Sequence, residues 1–238
     1  MKKFYLGLLM GMMMMVVGKV MAQIVSEGLN NSSALFTFAG AGQYYTGNSA
    51  SGDGPGSSPL ASEGTHSYGV TNGTTTLTST NINSTGYTGV QLQFKLASFS
   101  VGGSTNGADV GDIVTVEVSP NGGTTYYSTL RVLGNANAWW PYSATGIAST
   151  AYDGNTTSVD ISSGTGAAGI STVTLTNLPV VTNLRIKITL LNNAAAERWV
   201  VDDVKLTGTP ATPCAGIPVA GTAVSTPSSV LSPVEQLH

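Results

Sequence analysis

The chain has 238 residues, a formal net charge of −3 and only 9% charged residues. So few basic side chains argue against a nucleic-acid-binding surface, because phosphate recognition needs clustered lysine and arginine. The one cysteine, Cys214, excludes an intrachain disulfide. The length is sufficient for one large domain with its own hydrophobic core, or for one domain and a tail.

The first 22 residues have the features of a secretory signal peptide. Lys2 and Lys3 precede an apolar run over residues 4–17, and Val20 and Ala22 occupy the small-residue positions of a cleavage site. The run is shorter than the roughly 20 residues that a transmembrane helix needs. We therefore expect cleavage after Ala22, secretion and no membrane insertion of the mature protein, with an uncleaved anchor as the alternative.

From residue 24 to residue 208, short alternating segments are separated by Gly, Asn, Ser and Pro clusters, which predicts strands and turns. The predicted strands cover residues 24–27, 35–38, 74–81, 89–99, 113–119, 126–133, 172–176, 183–191 and 197–208. Residues 40–73 and 135–168 have no clear period and are interpreted as long loops. Strands with one apolar face predict an all-β, two-layer antiparallel β-sandwich of jelly-roll type over residues 23–208.

The apolar face of these strands predicts the core of the sandwich. Ten residues that share this face should be buried together: Val90, Leu92, Phe94, Leu96, Val114, Val116, Ile186, Ile188, Val200 and Val204.

The last predicted strand, residues 197–208, carries a carboxylate within its apolar row. If side chains alternate strictly, Asp202 lies on the same side as Val200 and Val204. A buried carboxylate needs hydrogen-bond donors, a charge partner or a metal ion. Asp202 therefore has three interpretations: an acceptor that pins the strand, a calcium ligand, or a catalytic group. A bulge within the strand would exchange the faces of Asp202 and Asp203.

Two short motifs resemble those of a known group of domains. The Trp-x-x-Asp-Asp-Val-x-Leu pattern at residues 199–206 is similar to the closing strand of jelly-roll modules in secreted and surface proteins of Bacteroidetes. These modules include cleaved-adhesin-like domains and, more distantly, MAM domains. The turn at residues 119–126 resembles a Ser-x-Asp-Gly-Gly-Thr-x-Trp hairpin of the same proteins. Residues 214–221 resemble the start of an Ig- or fibronectin-type repeat.

The resemblance implies a secreted or surface-exposed, non-enzymatic adhesion or carbohydrate-binding module, the N-terminal part of a larger protein of the kind exported by type IX secretion. Residues 209–238 would be a linker and the truncated, disordered start of a second module, with a short natural terminus as the alternative. The alternatives are an accessory domain of an extracellular hydrolase and a structural spacer without a ligand.

The resemblance also implies a Ca²⁺ ion that joins the N- and C-terminal strands, since calcium takes oxygen ligands from separate segments. Glu27 would then be the second carboxylate beside Asp202. Asp203 and Asp53 are the further predicted ligands.

An aromatic run, Trp139-Trp140-Pro141-Tyr142, lies in the second predicted loop. Exposed aromatic rings stack on sugar faces or anchor a protein partner. Trp139, Trp140 and Tyr142 are therefore the predicted ligand-binding residues, with an extracellular glycan or a surface protein as the partner. The alternative is that a tryptophan closes the open end of the sandwich.

Few other side chains suggest chemistry. The histidines are His66 and His238, and the sequence contains neither Gly-x-Ser-x-Gly nor His-Glu-x-x-His. A glycosidase needs two opposed carboxylates. Glu117 and Asp202 could form such a pair, but Glu117 falls on the polar face of its strand, opposite the predicted core. Asp109 and Asp112 are interpreted as turn residues, with calcium ligation as a lesser alternative. We therefore expect no enzymatic activity.

Overall fold

The computed structural model describes residues 20–211. Most of the predicted signal peptide and of the predicted second module therefore lies outside the described residues. Within them the chain forms thirteen strands and one short 3-10 helix, Gly166–Ala168. The strands are β1 (Ala22–Glu27), β2 (Phe36–Gly40), β3 (Gln43–Thr46), β4 (His66–Val70), β5 (Gly73–Ser79), β6 (Tyr87–Ser100), β7 (Ile113–Ser119), β8 (Tyr127–Leu133), β9 (Gly146–Ala151), β10 (Val159–Ser162), β11 (Ile170–Thr176), β12 (Arg185–Asn192) and β13 (Glu197–Pro210). Over residues 20–211, none of the helical structure has the length and apolarity needed to cross a membrane.

The strands form two sheets. The first has the order β3-β4-β13-β6-β11-β9, and β1 also pairs with β13; the second has the order β10-β8-β7-β12-β5-β2. The predicted all-β, two-layer sandwich is confirmed. The sheets are mainly antiparallel, but the edge pairs β9–β11 and β8–β10 are parallel. The prediction of purely antiparallel sheets is therefore wrong at these two edges.

Four strands lie inside the two stretches that the sequence predicted to be loops. Residues 40–73 contain β3 and β4, and residues 135–168 contain β9 and β10. β9 and β10 are edge strands with mostly exposed or half-buried side chains. They therefore complete hydrogen-bond ladders without needing the apolar alternation of a central strand.

The predicted core is confirmed for nine of its ten members, which are fully buried in one cluster between the two sheets. Val200 is equally buried, but it belongs to a second, smaller cluster. That cluster also contains Leu60, Ala97 and Phe99.

A bulge in β13 explains the difference. The pairing of β13 with β6 shifts register between Asp202 and Lys205, and Asp203 has a φ of +49°. Trp199 and Val201 therefore face the main core before the bulge, and Val204 faces it afterwards. The predicted common face of Val200, Asp202 and Val204 is wrong, because Val200 and Asp202 point to the outer side of the first sheet.

Candidate binding site and acidic cluster

The connection between β3 and β4, residues 47–65, covers the outer face of the first sheet. Leu60 in this connection packs with Phe99 of β6, Val200 of β13 and Tyr45 of β3. Burial of these side chains holds the connection against the sheet, since apolar area removed from water is the main stabilising contribution to such packing. We call residues 47–65 the covering loop.

Asp202 fastens the covering loop to β13. Its side chain is fully buried, and one carboxylate oxygen accepts the backbone N–H groups of Ser62 at 2.6 Å and Glu63 at 2.9 Å. The other oxygen accepts the N–H of Asp203 at 2.7 Å. Burial raises the pKa of Asp202 to about 6, and the three N–H groups oppose this rise. The geometry corresponds to the first interpretation of Asp202, an acceptor that pins the strand.

The structure does not gather the predicted calcium ligands around Asp202. The other three are engaged in separate contacts: Glu27 accepts the Ser33 hydroxyl at 2.6 Å, Asp53 accepts the Gly103 N–H at 2.7 Å, and Asp203 pairs with Lys205 at 2.7 Å. Among residues 20–211, the three carboxylates whose oxygen atoms lie within 4.8 Å of one another form a different group, described below. Calcium binding itself stays a prediction.

Trp140 lies inside the sandwich. It is fully buried, its indole N–H donates to the carbonyl of Ile170 at 2.9 Å, and its ring meets the ring of Trp199 edge-on at 5.5 Å. A β-bridge to Ser98 sets this inward direction. The prediction that Trp140 binds a ligand is therefore wrong, because a core side chain cannot stack on a sugar.

Trp139 and Tyr142 are only partly buried. A Cβ atom on Gly54 of the covering loop would lie 2.7 Å from two atoms of the Trp139 ring, so the glycine backbone packs directly against the indole. Tyr142 meets Phe99 edge-on at 6.5 Å. The Tyr142 hydroxyl is buried, and burial followed by the charge of Asp202 raises its pKa well above the usual value.

Tyr142 lines a cleft of about 300 Å³ on this side of the molecule. The other lining residues come from the covering loop and the aromatic run: Ser58, Pro59, Ala61, Ser62, Pro141 and Ser143. The backbone N–H of Ser62 donates to the carboxylate of Asp202. Asp202 therefore helps to position one wall of the cleft. This lining offers hydroxyl groups and an aromatic ring, which suits recognition of a hydroxyl-rich ligand.

A separate acidic cluster lies at the start of β13. Oxygen atoms of Asp109, Asp112 and Glu197 all lie within 4.8 Å of one another. Asp112 is fully buried, and Glu197 is 2% exposed. Burial, followed by the neighbouring Asp112 carboxyl group, raises the pKa of Glu197 to about 8.

Glu197 is not among the site residues predicted from the sequence. One feature of the sequence could have indicated it: Glu197 lies two residues before Trp199 and four before Val201. In a strand these three side chains share a face, and the face of Trp199 and Val201 is the one that packs in the core. Strict alternation without the bulge would place this row on the opposite face from Val204, which is why the sequence did not predict it.

No protein-family model matches the chain, and no curated protein matches it. Among solved structures, the chain is similar to the K2 cleaved adhesin domain of Lys-gingipain, with a TM-score of 0.41 and 13% identity over 79% of this chain and 98% of that chain. It is also similar to the CBM22-1 xylan-binding domain from Paenibacillus barcinonensis Xyn10C, with a TM-score of 0.42 and 10% identity over 82% and 99%. An exo-beta-agarase gives a TM-score of 0.40 and 10% identity over 81% of this chain and 26% of that chain. The fold class follows from the strand pairing of the chain itself, which defines a two-layer β-sandwich domain.

Proposed function

We propose that the chain is a secreted, non-enzymatic β-sandwich module that binds an extracellular carbohydrate, as part of a larger surface or secreted protein. The observation that carries this proposal is the cleft that Tyr142 and three serines line, together with the half-buried Trp139, which packs on Gly54 of the same covering loop. The signal-peptide features of residues 1–22 support secretion.

The two aromatic side chains are fixed by packing against neighbouring residues. Gly54 packs against the Trp139 indole, and Phe99 contacts Tyr142. A ring held in place before binding loses little conformational freedom when a ligand stacks on it. The hydroxyls of Ser58 and Ser62 both donate and accept hydrogen bonds, as sugar hydroxyls do.

The positions of the carboxylates support a non-enzymatic role. Hydrolysis of a glycosidic bond uses two carboxyl groups on opposite sides of the bond. Glu117 lies on the second sheet in an ion pair with Lys187 at 2.7 Å, whereas Asp202 lies under the covering loop of the first sheet. These two carboxylates therefore do not face a common substrate.

Fluorescence provides a selective test, because the chain has three tryptophans and two of them, Trp140 and Trp199, are fully buried. A ligand that stacks on the domain should change the emission of Trp139 alone. The full chain is applied to a glycan array, and oligosaccharides that bind are then titrated while emission is recorded. We expect saturable binding with a shift in emission.

Substitutions connect that binding to the site. Trp139→Ala should weaken binding about tenfold, the scale of one aromatic stacking contact. Gly54→Ala should also weaken it, because the added methyl group displaces the ring. Tyr126→Ala, a partly buried aromatic residue under Lys187 of the second sheet, is the matched control and should bind normally. Absence of glycan binding, or binding that both site variants retain, would overturn the proposal and favour a structural spacer.

A further inference from the structure

The acidic cluster of Asp109, Asp112 and Glu197 brings three carboxyl groups together in a largely buried place. Two of its three side chains are at most 2% exposed. The ion pairs of the described residues use other carboxylates, those of Asp160, Glu117 and Asp203. Among residues 20–211, therefore, no basic side chain within 4.0 Å balances the charge of this cluster. Buried carboxylates without a balancing charge are strongly unfavourable.

One carboxylate oxygen of Glu197 has no hydrogen-bond partner although it is buried. By contrast, both oxygens of Asp112 are partnered: one accepts the N–H of Asn193 at 2.8 Å, and the other accepts the N–H of Asp109 at 2.9 Å. Native proteins rarely leave a buried polar atom unpartnered, and an ion is one explanation when such an atom occurs. The free oxygen of Glu197 therefore points to a cation between these carboxylates.

We propose that Asp109, Asp112 and Glu197 form a Ca²⁺-binding site. The three side chains offer only oxygen atoms, and neither histidine nor cysteine belongs to the group. This donor set suits a hard cation rather than zinc. Calcium tolerates irregular geometry and six to eight oxygen ligands, so a turn and a strand can supply them together.

The position assigns the ion a structural role. Asp109 and Asp112 belong to the turn that precedes β7, whereas Glu197 is the first residue of β13. An ion bound by both segments closes a long loop of the chain, and such a closure stabilises the folded state more when the loop is long. Because the chain has one cysteine, a disulfide cannot provide an equivalent link.

The test measures the melting temperature of the full chain after treatment with EDTA, without and with about 10 mM CaCl₂. Dissociation constants of extracellular calcium modules are about 10⁻⁴–10⁻³ M. An ion that binds only the folded state should then raise the melting temperature by about 3–11 °C. Glu197→Gln and Asp112→Asn should abolish this increase. Asp153→Asn, which neutralises an exposed loop carboxylate, is the matched control and should retain it.

Folding of the variants is checked by their melting transitions in EDTA. Glu197→Gln removes the charge but keeps the shape of the side chain, so it should melt at or above the wild-type temperature without calcium. A second measurement is terbium luminescence sensitised by Trp199, two residues from Glu197, which should be displaced by CaCl₂ and lost in Glu197→Gln.

Three outcomes would overturn the proposal. The first is a wild-type melting temperature that calcium does not change, which would indicate that Glu197 and Asp112 share a proton instead. The second is a calcium effect that Glu197→Gln and Asp112→Asn both retain. The third is a calcium effect that only Asp202→Asn removes, because it would return the ion to the ligand set predicted from the sequence.

Discussion

Replacing Asp202 by asparagine should change the way in which the stability of the domain depends on pH. The folded-state pKa of Asp202 is raised to about 6, chiefly by burial, whereas an aspartate in an unfolded chain has a pKa of about 3.9. The stability that this raised pKa contributes is fully present below about pH 4 and is lost as the pH rises through 6. A difference of about two units corresponds to about 3 kcal/mol.

The asparagine variant has no proton to lose at this position. Its free energy of unfolding, relative to that of the wild type, should therefore rise by up to about 3 kcal/mol between pH 4 and pH 7. All other titrating groups are common to both proteins and cancel in the difference. Urea denaturation provides the assay, because Trp140 and Trp199 are fully buried and their fluorescence reports unfolding.

Asp160→Asn is the control, since Arg131 lowers the pKa of Asp160 and its carboxylate is ionised in both states above about pH 5. Its stability relative to the wild type should stay constant from pH 5 to pH 7. A flat difference for Asp202→Asn, or one of opposite sign, would refute the reasoning. It would mean that the N–H groups of Ser62 and Glu63 outweigh burial and hold the carboxylate in its ionised form.

Three further substitutions test the packing. Trp140→Ala should lower the free energy of unfolding by about 3–5 kcal/mol in urea denaturation, because it leaves a cavity between the sheets. Gly69→Ala should lower the free energy of unfolding by about 1–3 kcal/mol, because the new Cβ would collide with the backbone carbonyl of Trp199. An unchanged urea midpoint would contradict that contact. Ser84→Ala should cost about 1–3 kcal/mol, because this buried hydroxyl bonds the carbonyl and the N–H of Val181 at 2.9 Å; hydrogen exchange at Val181 should increase in parallel.

Period-2 alternation was sufficient to predict the central strands. The range predicted for β7 matches the structure, and those for β6 and β13 differ from it by at most two residues at either end. These strands lie inside the sheets, where one face packs in the core. Their sequences therefore alternate between apolar and polar residues. Edge strands such as β9 show weaker alternation, because they are held by hydrogen bonds to a single neighbouring strand.

The candidate site was less predictable, because it depends on local irregularities. A bulge of one residue at Asp203 exchanges the two faces of β13, and the sequence there contains no glycine that would signal it. The direction of Trp139 and Trp140 depends on one isolated bridge between Trp140, which belongs to no regular strand, and Ser98 of β6. The cluster of Glu197 with Asp112 joins segments far apart in the chain, and a single sequence carries no signal for such a pairing.

The pairing of β1 with β13 determines how the domain responds to tension. The strands are antiparallel, with Ala22 opposite Gly208, so the two ends of the described domain lie side by side. A pulling force applied through these ends therefore loads the first hydrogen bonds of the pair before the others, and β1 peels away one bond at a time. Shear across the whole ladder would require the force to enter at opposite ends of the two strands. Tension applied between the two ends of the domain should therefore meet little resistance, and the first strand should be the part that separates.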